Sequence, residues 1–168
     1  MQQGYARVSQ ALEPLAAAEL LEDALRMNRA SLDRHRVRVE RDFQDVPPVI
    51  VDKHKVLQIL INLIRNAKYA LDEGGSPEKC LKLRIYMNGS ARVKIIVSDN
   101  GVGISHENLN RIFQHGFTTR RDGHGFGLHS GAIAAKELGG ELMVQSDGPG
   151  QGATFTLELP VAGTRTKI

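Results

Sequence analysis

Asp99-Asn100-Gly101-Val102-Gly103-Ile104 is the stretch from which the fold is interpreted. It follows Val93, Ile95 and Val97, whose alternation predicts a strand. An Asp that leads into two glycines keeps a carboxylate at the strand end and lets backbone approach a ligand closely. Asp-Asn-Gly is also typical of an ordinary turn. By itself the stretch therefore leaves a ligand site and a plain turn both open.

The composition is that of one folded domain. The chain has 168 residues, 41% apolar and 24% charged, which is long enough to bury a core without disulfides or a metal. No apolar run approaches the ~20 residues that a membrane span needs. Cys80 is the sole cysteine, and the first residues lack the basic and apolar regions of a signal peptide. We expect a cytoplasmic domain without membrane contact of its own, whether or not the parent protein is membrane-anchored.

Arginine is concentrated early in the chain, although the formal net charge is only +3. Trp is absent, aromatic residues make up 5%, and none of them interleaves with the arginines to give a stacking platform. The arginines are therefore interpreted as a solvated basic face, and we expect no nucleic-acid partner. The cluster comprises Arg26, Arg29, Arg34, Arg36, Arg38 and Arg41.

The first half of the chain predicts two helices and two strands. Residues 1–14 are expected to be a linker, 15–34 a helix, and 37–43 and 49–51 strands. Asp52 is the predicted N-cap of a long helix that ends near residue 71, before a Gly-Gly-Ser-Pro stop. Asn62 and Asn66 lie one turn apart inside this helix, where capping cannot explain them. They are either ligand groups or ordinary exposed or core-bonded amides.

The second half predicts a hairpin, a short helix, a mobile loop, a helix and two strands. Asn88-Gly89 joins the alternating runs 81–87 and 93–97, and this hairpin delivers Asp99 to its end. Ser105 caps a predicted short helix, and residues 114–125 form the expected loop. Gly123-His124-Gly125-Phe126-Gly127 then precedes a helix that runs to about 138, and strands are expected at 142–144 and 153–159. Backbone N–H groups at such a helix start suit phosphate, although the spacing matches neither the P-loop nor the dinucleotide fingerprint.

Four elements in a fixed order make the chain resemble a known family. They are Asn62-Leu-Ile-Arg-Asn66, Asp99-Asn-Gly-Val-Gly103, Gly123-His-Gly-Phe-Gly127 and Gly150-Gln-Gly152-Ala-Thr-Phe155. Over residues 15–160 the chain resembles the catalytic, ATP-binding domain of bacterial sensor histidine kinases, within the superfamily shared with DNA gyrase, MutL and a heat-shock chaperone. The resemblance implies an α+β class and a two-layer α/β sandwich, the Bergerat ATP-binding fold. Its mixed, largely antiparallel sheet lies under a layer of helices beside a flexible ATP lid, and residues 161–168 are a tail.

The resemblance also implies a binding site for ATP and Mg²⁺. Asp99 would accept a hydrogen bond from the adenine amino group, Gly103 and Ile104 would shape the adenine pocket, and Asn66 would be the Mg²⁺ ligand. The lid glycines would bring backbone N–H groups to the phosphates. The full set of implied ATP-binding residues is Asn62, Asn66, Asp99, Gly101, Gly103, Ile104, Arg120, Gly123, His124, Gly125, Phe126, Gly127, Leu128 and Thr154.

Two positions depart from the family pattern. Many members carry a basic residue three positions after the Mg²⁺-binding Asn, where this chain has Tyr69, and Lys68 lies one position earlier. Successive helical residues differ by about 100°, so a phosphate contact by Lys68 stays open. Ala153 stands where Ser or Thr is common, which removes a hydroxyl from the last motif.

The expected partners follow from the same resemblance. They are a separate dimerisation domain that carries the phosphoacceptor His, and a response regulator receiver domain. His106-Glu107 is not that acceptor pair, because no long helical hairpin surrounds it. Since the first residues resemble the tail of such a helical domain, we expect a monomeric catalytic fragment that binds Mg·ATP and does not phosphorylate itself.

Two alternatives remain at this point. A gyrase-type or MutL-type ATPase would need an activating Glu in the Asn-containing helix, where no carboxylate occurs between Asn62 and Asp72. A degenerate docking module that has lost its nucleotide is the other alternative. The retained Asn66, Asp99 and motif glycines argue against it.

Overall fold

The computed structural model describes residues 11–87, 89, 91–114 and 126–161. Strands and helices alternate irregularly along this part of the chain. In order they are β1 (Leu12–Leu15), α1 (Ala17–Arg34), β2 (Arg38–Phe43), β3 (Val49–Asp52), α2 (Lys53–Gly74), β4 (Cys80–Tyr86), β5 (Arg92–Asp99), α3 (His106–Leu109), α4 (Phe126–Glu137), β6 (Glu141–Gln145) and β7 (Ala153–Pro160).

The main sheet has five strands in the order β2-β4-β5-β7-β6. The β4–β5, β5–β7 and β6–β7 pairs are antiparallel, and the β2–β4 pair is parallel. β1 and β3 form a small antiparallel sheet, and Val49 at the start of β3 bridges to Val161 beyond β7. The predicted mixed, largely antiparallel sheet is confirmed.

Helices cover one face of the main sheet. Side chains alternate along β7, so Ala153, Phe155, Leu157 and Leu159 are buried while the residues between them are half-exposed. α2 lies in the middle of the helical layer, in contact with α1 on one side and α4 on the other. The two-layer sandwich expected from the sequence is therefore present, with one core between the layers.

α2 is the central helix of that layer, and local sequence signals set its ends. Asp52 Oδ1 accepts hydrogen bonds from the backbone N–H of His54 at 3.0 Å and of Lys55 at 3.3 Å, so the predicted N-cap is confirmed. At the other end Gly75 adopts the left-handed conformation, with φ of 73°, that ends many helices. The buried stripe comprises Val56, Ile59, Leu60, Leu63, Ile64, Ala67 and Leu71.

Strand β1 occupies the end of the predicted linker 1–14 and the first residue of the predicted helix 15–34. Its four residues pair with all of β3, from Leu12 opposite Asp52 to Leu15 opposite Val49. The other predicted helices and strands occur with boundary shifts, including the β4–β5 hairpin and the short helix capped by Ser105, whose Oγ accepts from Asn108 N. The tail from 162 onward lies outside the described residues.

Candidate functional site

The carboxylate of Asp99 marks the end of β5, the central strand of the sheet. Its Oδ1 accepts a hydrogen bond from the backbone N–H of Gly101 at 2.8 Å. Burial raises the pKa of Asp99 to about 6, while the backbone N–H groups of Gly101 and Ala153 act in the opposite direction. The carboxylate is thus held by backbone and largely withdrawn from water.

The loop after Asp99 is fixed against the end of helix α2. The backbone N–H of Val102 donates to Ala70 O at 2.9 Å, and a Cβ on Gly101 would lie only 2.3 Å from the same oxygen. A glycine at position 101 is therefore what allows the loop to lie directly on the helix backbone.

The turn before β7 holds the same loop from its other side. Gly150 N donates to Val102 O at 2.7 Å, and Gly152 N donates to Gly101 O at 3.2 Å. Gly103 and Gly152 both have positive φ, of 76° and 70°, and a Cβ on either would lie within 2.2 Å of a facing carbonyl oxygen. The second and fourth sequence motifs are thus packed backbone against backbone.

A cavity of about 460 Å³ opens beside these two segments. This volume lies within the range of small-molecule sites, roughly 300 to 1,000 Å³. Asp99 lies in its wall together with residues from α3, β6, the turn before β7 and the start of β7. The lining residues are Asp99, Leu109, Val144, Gln145, Ser146, Asp147, Gln151, Gly152, Ala153 and Thr154.

Asn62 and Asn66 lie on one side of α2, in a row that continues to Ala70 one turn later. A Cβ on Gly127 would lie 3.2 Å from Asn62 Cγ, so the start of α4 packs directly on Asn62. At the other end of the row, Ala70 O holds the Asp99 loop. Asn66, which is half-buried, therefore lies between the start of α4 and the Asp99 loop.

Two pairs of polar side chains interact within α2 itself. Arg65 Nη2 donates to Asn62 Oδ1 at 2.6 Å. Lys68 Nζ lies 3.4 Å from Asp72 Oδ2 and 4.3 Å from the centre of the Tyr69 ring. The ammonium group of Lys68 thus pairs with a carboxylate one turn further along α2.

Thr154 is among the residues that line the cavity, but its side chain does not share a face of the sheet with Asp99. Asp99 pairs with Ala153 across β5 and β7, whereas Thr154 pairs with Ser98, and the hydroxyls of that pair are 2.7 Å apart. Because side chains alternate along a strand, the hydroxyl of Thr154 is on the opposite face of the sheet from the Asp99 carboxylate. The alternation of Phe155, Leu157 and Leu159 in the sequence was the signal for this orientation.

The structure brings together the predicted residues of α2, of the Asp99 loop and of the start of α4. Ile104 is half-buried and packs against the core, as does Leu128. Arg120, Gly123, His124 and Gly125 lie outside the described residues, as does nearly all of the predicted lid. Phe126 is the first residue of α4.

Ser146 is a site residue that the sequence motifs did not indicate. It follows β6 directly and lines the cavity. Its Oγ donates to Gly152 O at 2.6 Å and accepts from Ile104 N at 3.0 Å. The available signal was a serine directly before the Asp-Gly-Pro-Gly turn, but serines before turns are too common to single one out.

A family model described as histidine kinase-, DNA gyrase B-, and HSP90-like ATPase matches residues 51–163, which contain all of the described site. The chain belongs to this family. The match begins at the last residues of β3 and ends just beyond β7. It therefore covers α2, the Asp99 loop, α4 and the turn before β7.

Similar proteins place the chain with the histidine kinases of this family. Sensor histidine kinase ZraS of Escherichia coli (strain K12) is 32% identical over 156 residues, which are 92% of this chain and 32% of that protein. Sporulation kinase E of Bacillus subtilis (strain 168) is 28% identical over 144 residues, 85% of this chain and 19% of the relative. The chain thus spans less than a third of the length of these curated relatives.

A solved structure of a longer protein shows the same fold. The structure of full-length ShkA in complex with AMPPNP aligns with a TM-score of 0.79 and 25% identity, over 93% of this chain and 32% of that chain. We conclude that this chain is an ATP-binding catalytic domain of the histidine kinase type. No helix among the described residues is both long and apolar enough to cross a membrane.

Proposed function

We propose that this domain serves a two-component sensor histidine kinase, in which it binds Mg·ATP and presents the γ-phosphate to a histidine on a separate dimerisation domain. The observation that carries the proposal is the Asp99 carboxylate, half-buried at a strand end and held by backbone in the wall of a cavity of about 460 Å³. A carboxylate accepts the exocyclic N–H of adenine, whereas guanine presents a carbonyl there.

The row of residues on α2 sets the direction of the bound nucleotide. Adenine lies at the Asp99 loop, next to Ala70, and the phosphates extend toward the start of α4, next to Asn62. The start of a helix of 12 residues suits phosphate, because its N–H groups and dipole favour an anion. Gly101, Gly103 and Ile104 shape the adenine end, and Gly127 and Leu128 lie at the phosphate end.

The side chains present also fit Mg²⁺. Asn66 offers a neutral amide oxygen between the adenine end and the phosphate end, and hard oxygen ligands are what Mg²⁺ requires. Lys68, which pairs with Asp72, does not compete for this position. When bound, Mg²⁺ would neutralise phosphate charge and fix the γ-phosphate for transfer.

The proposed partners are the phosphoacceptor domain of the same protein and a response regulator receiver domain. The phosphoryl group passes from ATP to an imidazole nitrogen of the first partner and then to the second. The domain works in the cytoplasm and is monomeric by itself. Arg120, Gly123, His124, Gly125 and Phe126 belong to the proposed lid. The hydroxyl of Thr154, which pairs with Ser98 on the opposite face of the sheet, is not part of the proposed contact with adenine.

Phosphotransfer with labelled ATP tests this function. The domain is incubated with Mg²⁺, ATP labelled at the γ-phosphate and the helical domain encoded with it, and the products are separated by electrophoresis. We expect acid-labile phosphohistidine on the helical domain, none on this chain alone and little free phosphate. D99N should weaken ATP binding about 10- to 100-fold, because its amide NH₂ would face the adenine amino group.

The matched control is D42N, which makes the same chemical change on an exposed residue of β2, remote from the cavity. It should bind ATP and transfer phosphate as the unmodified domain does. Rapid release of phosphate without transfer would instead assign the domain to the gyrase-type ATPases. Unchanged ATP affinity in D99N would contradict the role of Asp99.

A further inference from the structure

The hydroxyl of Ser146 joins three separate segments beside the cavity. It donates to Gly152 O at 2.6 Å and accepts from the backbone N–H of Ile104 at 3.0 Å and of Gly148 at 3.3 Å. Gly148 O lies further away, at 3.5 Å, so the hydroxyl proton goes to Gly152. One donor and two acceptors exhaust what a serine hydroxyl offers.

The bond to Gly152 acts on Asp99 through one peptide group. The carbonyl of Gly152 and the N–H of Ala153 belong to the same planar peptide. Ala153 pairs directly with Asp99 across β5 and β7, and its N–H acts to lower the pKa of the Asp99 carboxyl. A hydrogen bond to the carbonyl polarises the peptide and strengthens the hydrogen bond that its N–H makes.

The bond to Ile104 acts on the other side of the carboxylate. Ile104 ends the loop whose first N–H, from Gly101, donates to Asp99 Oδ1. Alanine at position 146 would leave Ile104 N, Gly148 N and Gly152 O without this partner in a half-buried place. Both backbone groups that hold Asp99 thus belong to segments tied to the same hydroxyl.

We propose that Ser146 is a positioning residue for adenine recognition: through the Gly152–Ala153 peptide and the Ile104 end of the loop, its hydroxyl orients the Asp99 carboxylate toward the base. This inference rests on the proposed role of Asp99 as the adenine acceptor. Ser146 itself need not touch the nucleotide. Its effect on binding passes through Asp99, which distinguishes it from a residue that only stabilises the fold.

The test compares S146A, S146T and S98A in the whole domain. Affinity for Mg·ATP is measured by calorimetry from pH 5 to pH 8, and stability by urea denaturation. S146A should weaken ATP binding about tenfold at pH 7, because the hydrogen bonds of the Ser146 hydroxyl are lost. The pH midpoint of binding should also move upward, because the ionised carboxylate of Asp99 loses stabilisation. S146T keeps the hydroxyl and should restore both values.

S98A is the matched control, because Ser98 also bonds across β5 and β7 but on the opposite face of the sheet. It should leave the affinity and the pH midpoint unchanged. D147N is a second control, because Asp147 is the other carboxylate among the described lining residues. Removing it tests whether the pH effect comes from Asp99. The upward move of the midpoint should persist when S146A is combined with D147N.

The outcomes separate the two proposals. Loss of stability in S146A with unchanged affinity and midpoint would make Ser146 purely structural and overturn the inference. Unchanged binding in D99N would instead overturn the proposed function. If S146A does not fold, S146C is measured in its place with the same expectations, because a thiol keeps the volume and is only a weak hydrogen-bond donor.

Discussion

Asp99 combines a favourable role in recognition with an unfavourable effect on folding. Burial raises its pKa to about 6, from an ordinary value of 3.8. The folded domain therefore holds a proton between these two pH values that the unfolded chain releases. By linkage, this group makes the domain less stable as pH rises from about 4 to about 6, and the effect is complete above that range.

We therefore expect the D99N domain to be more stable than the unmodified domain at pH 8. The gain should be roughly 1 to 3 kcal/mol, because the neutral amide removes the cost of a buried charge while Oδ1 still accepts from Gly101. Urea denaturation from pH 4 to pH 8 measures it. The difference should shrink toward pH 4, and a difference independent of pH would contradict the assignment.

The two glycines of the fourth motif, Gly150 and Gly152, both have a positive φ but differ in the space around them. A Cβ on Gly152 would lie 2.0 Å from the backbone oxygen of Asp99, whereas a Cβ on Gly150 would have no atom within 4 Å. Position 152 therefore needs glycine for space as well as for conformation. Position 150 needs it for conformation alone.

We therefore expect G152A to cost about 2 kcal/mol or more and G150A only about 1 kcal/mol, the usual penalty for a side chain in the left-handed region. G152A should also weaken ATP binding, since the clash displaces the backbone of Asp99 itself. Urea denaturation and calorimetry on the two variants give the comparison. Equal losses in both would mean that the contact between the two motifs is not tight.

At the scale of elements, local sequence signals predict helix ends and hairpins well, but they do not predict which distant strands pair. The ends of α2 were predictable because Asp52 caps its own helix and Gly75 terminates it, both within a few residues. The β4–β5 hairpin was predictable because two alternating apolar runs, 81–87 and 93–97, follow each other closely in the chain. Each of these elements is determined by residues adjacent in the chain.

The pairing of β1 with β3 could not be predicted in that way. Pro14, with Glu13 beside it, suits a linker as well as a short edge strand. What decides is the pairing with residues 49–52, which follow after an intervening helix. The parallel neighbour of β4 likewise depends on a long connection. In the site, the glycine pattern indicated close backbone approach, whereas the role of Ser146 needs three segments that only the fold brings together.

At the scale of the whole molecule, Asp72 connects the first helix, the central helix and the approach to the sheet. His35 Nδ1, at the end of α1, lies 3.2 Å from Asp72 Oδ1, and Lys79 Nζ, just before β4, donates to it at 2.9 Å. Burial raises the pKa of Asp72, but the hydrogen bond from Lys79 and the charges of His35, Lys79 and Lys68 outweigh it, so the pKa is lowered overall. Its stabilising effect is therefore present at neutral pH and is lost as pH falls below the ordinary value of 3.8.

D72N should therefore destabilise the whole domain, by about 1 kcal/mol, because the ammonium groups of Lys68 and Lys79 and the imidazole of His35 lose the carboxylate that they share, while the group remains partly exposed. For a domain of this size that corresponds to a fall in Tm of roughly 2 to 4 °C. Thermal unfolding at pH 7 measures this fall. D42N is the control: Asp42 lies on the exposed edge strand β2, 3.7 Å from Arg84, and its substitution should change Tm little. Salt at 1 M should reduce the difference, because it screens half-exposed pairs, and a D72N domain as stable as D42N would show that the cluster does not connect the layers energetically.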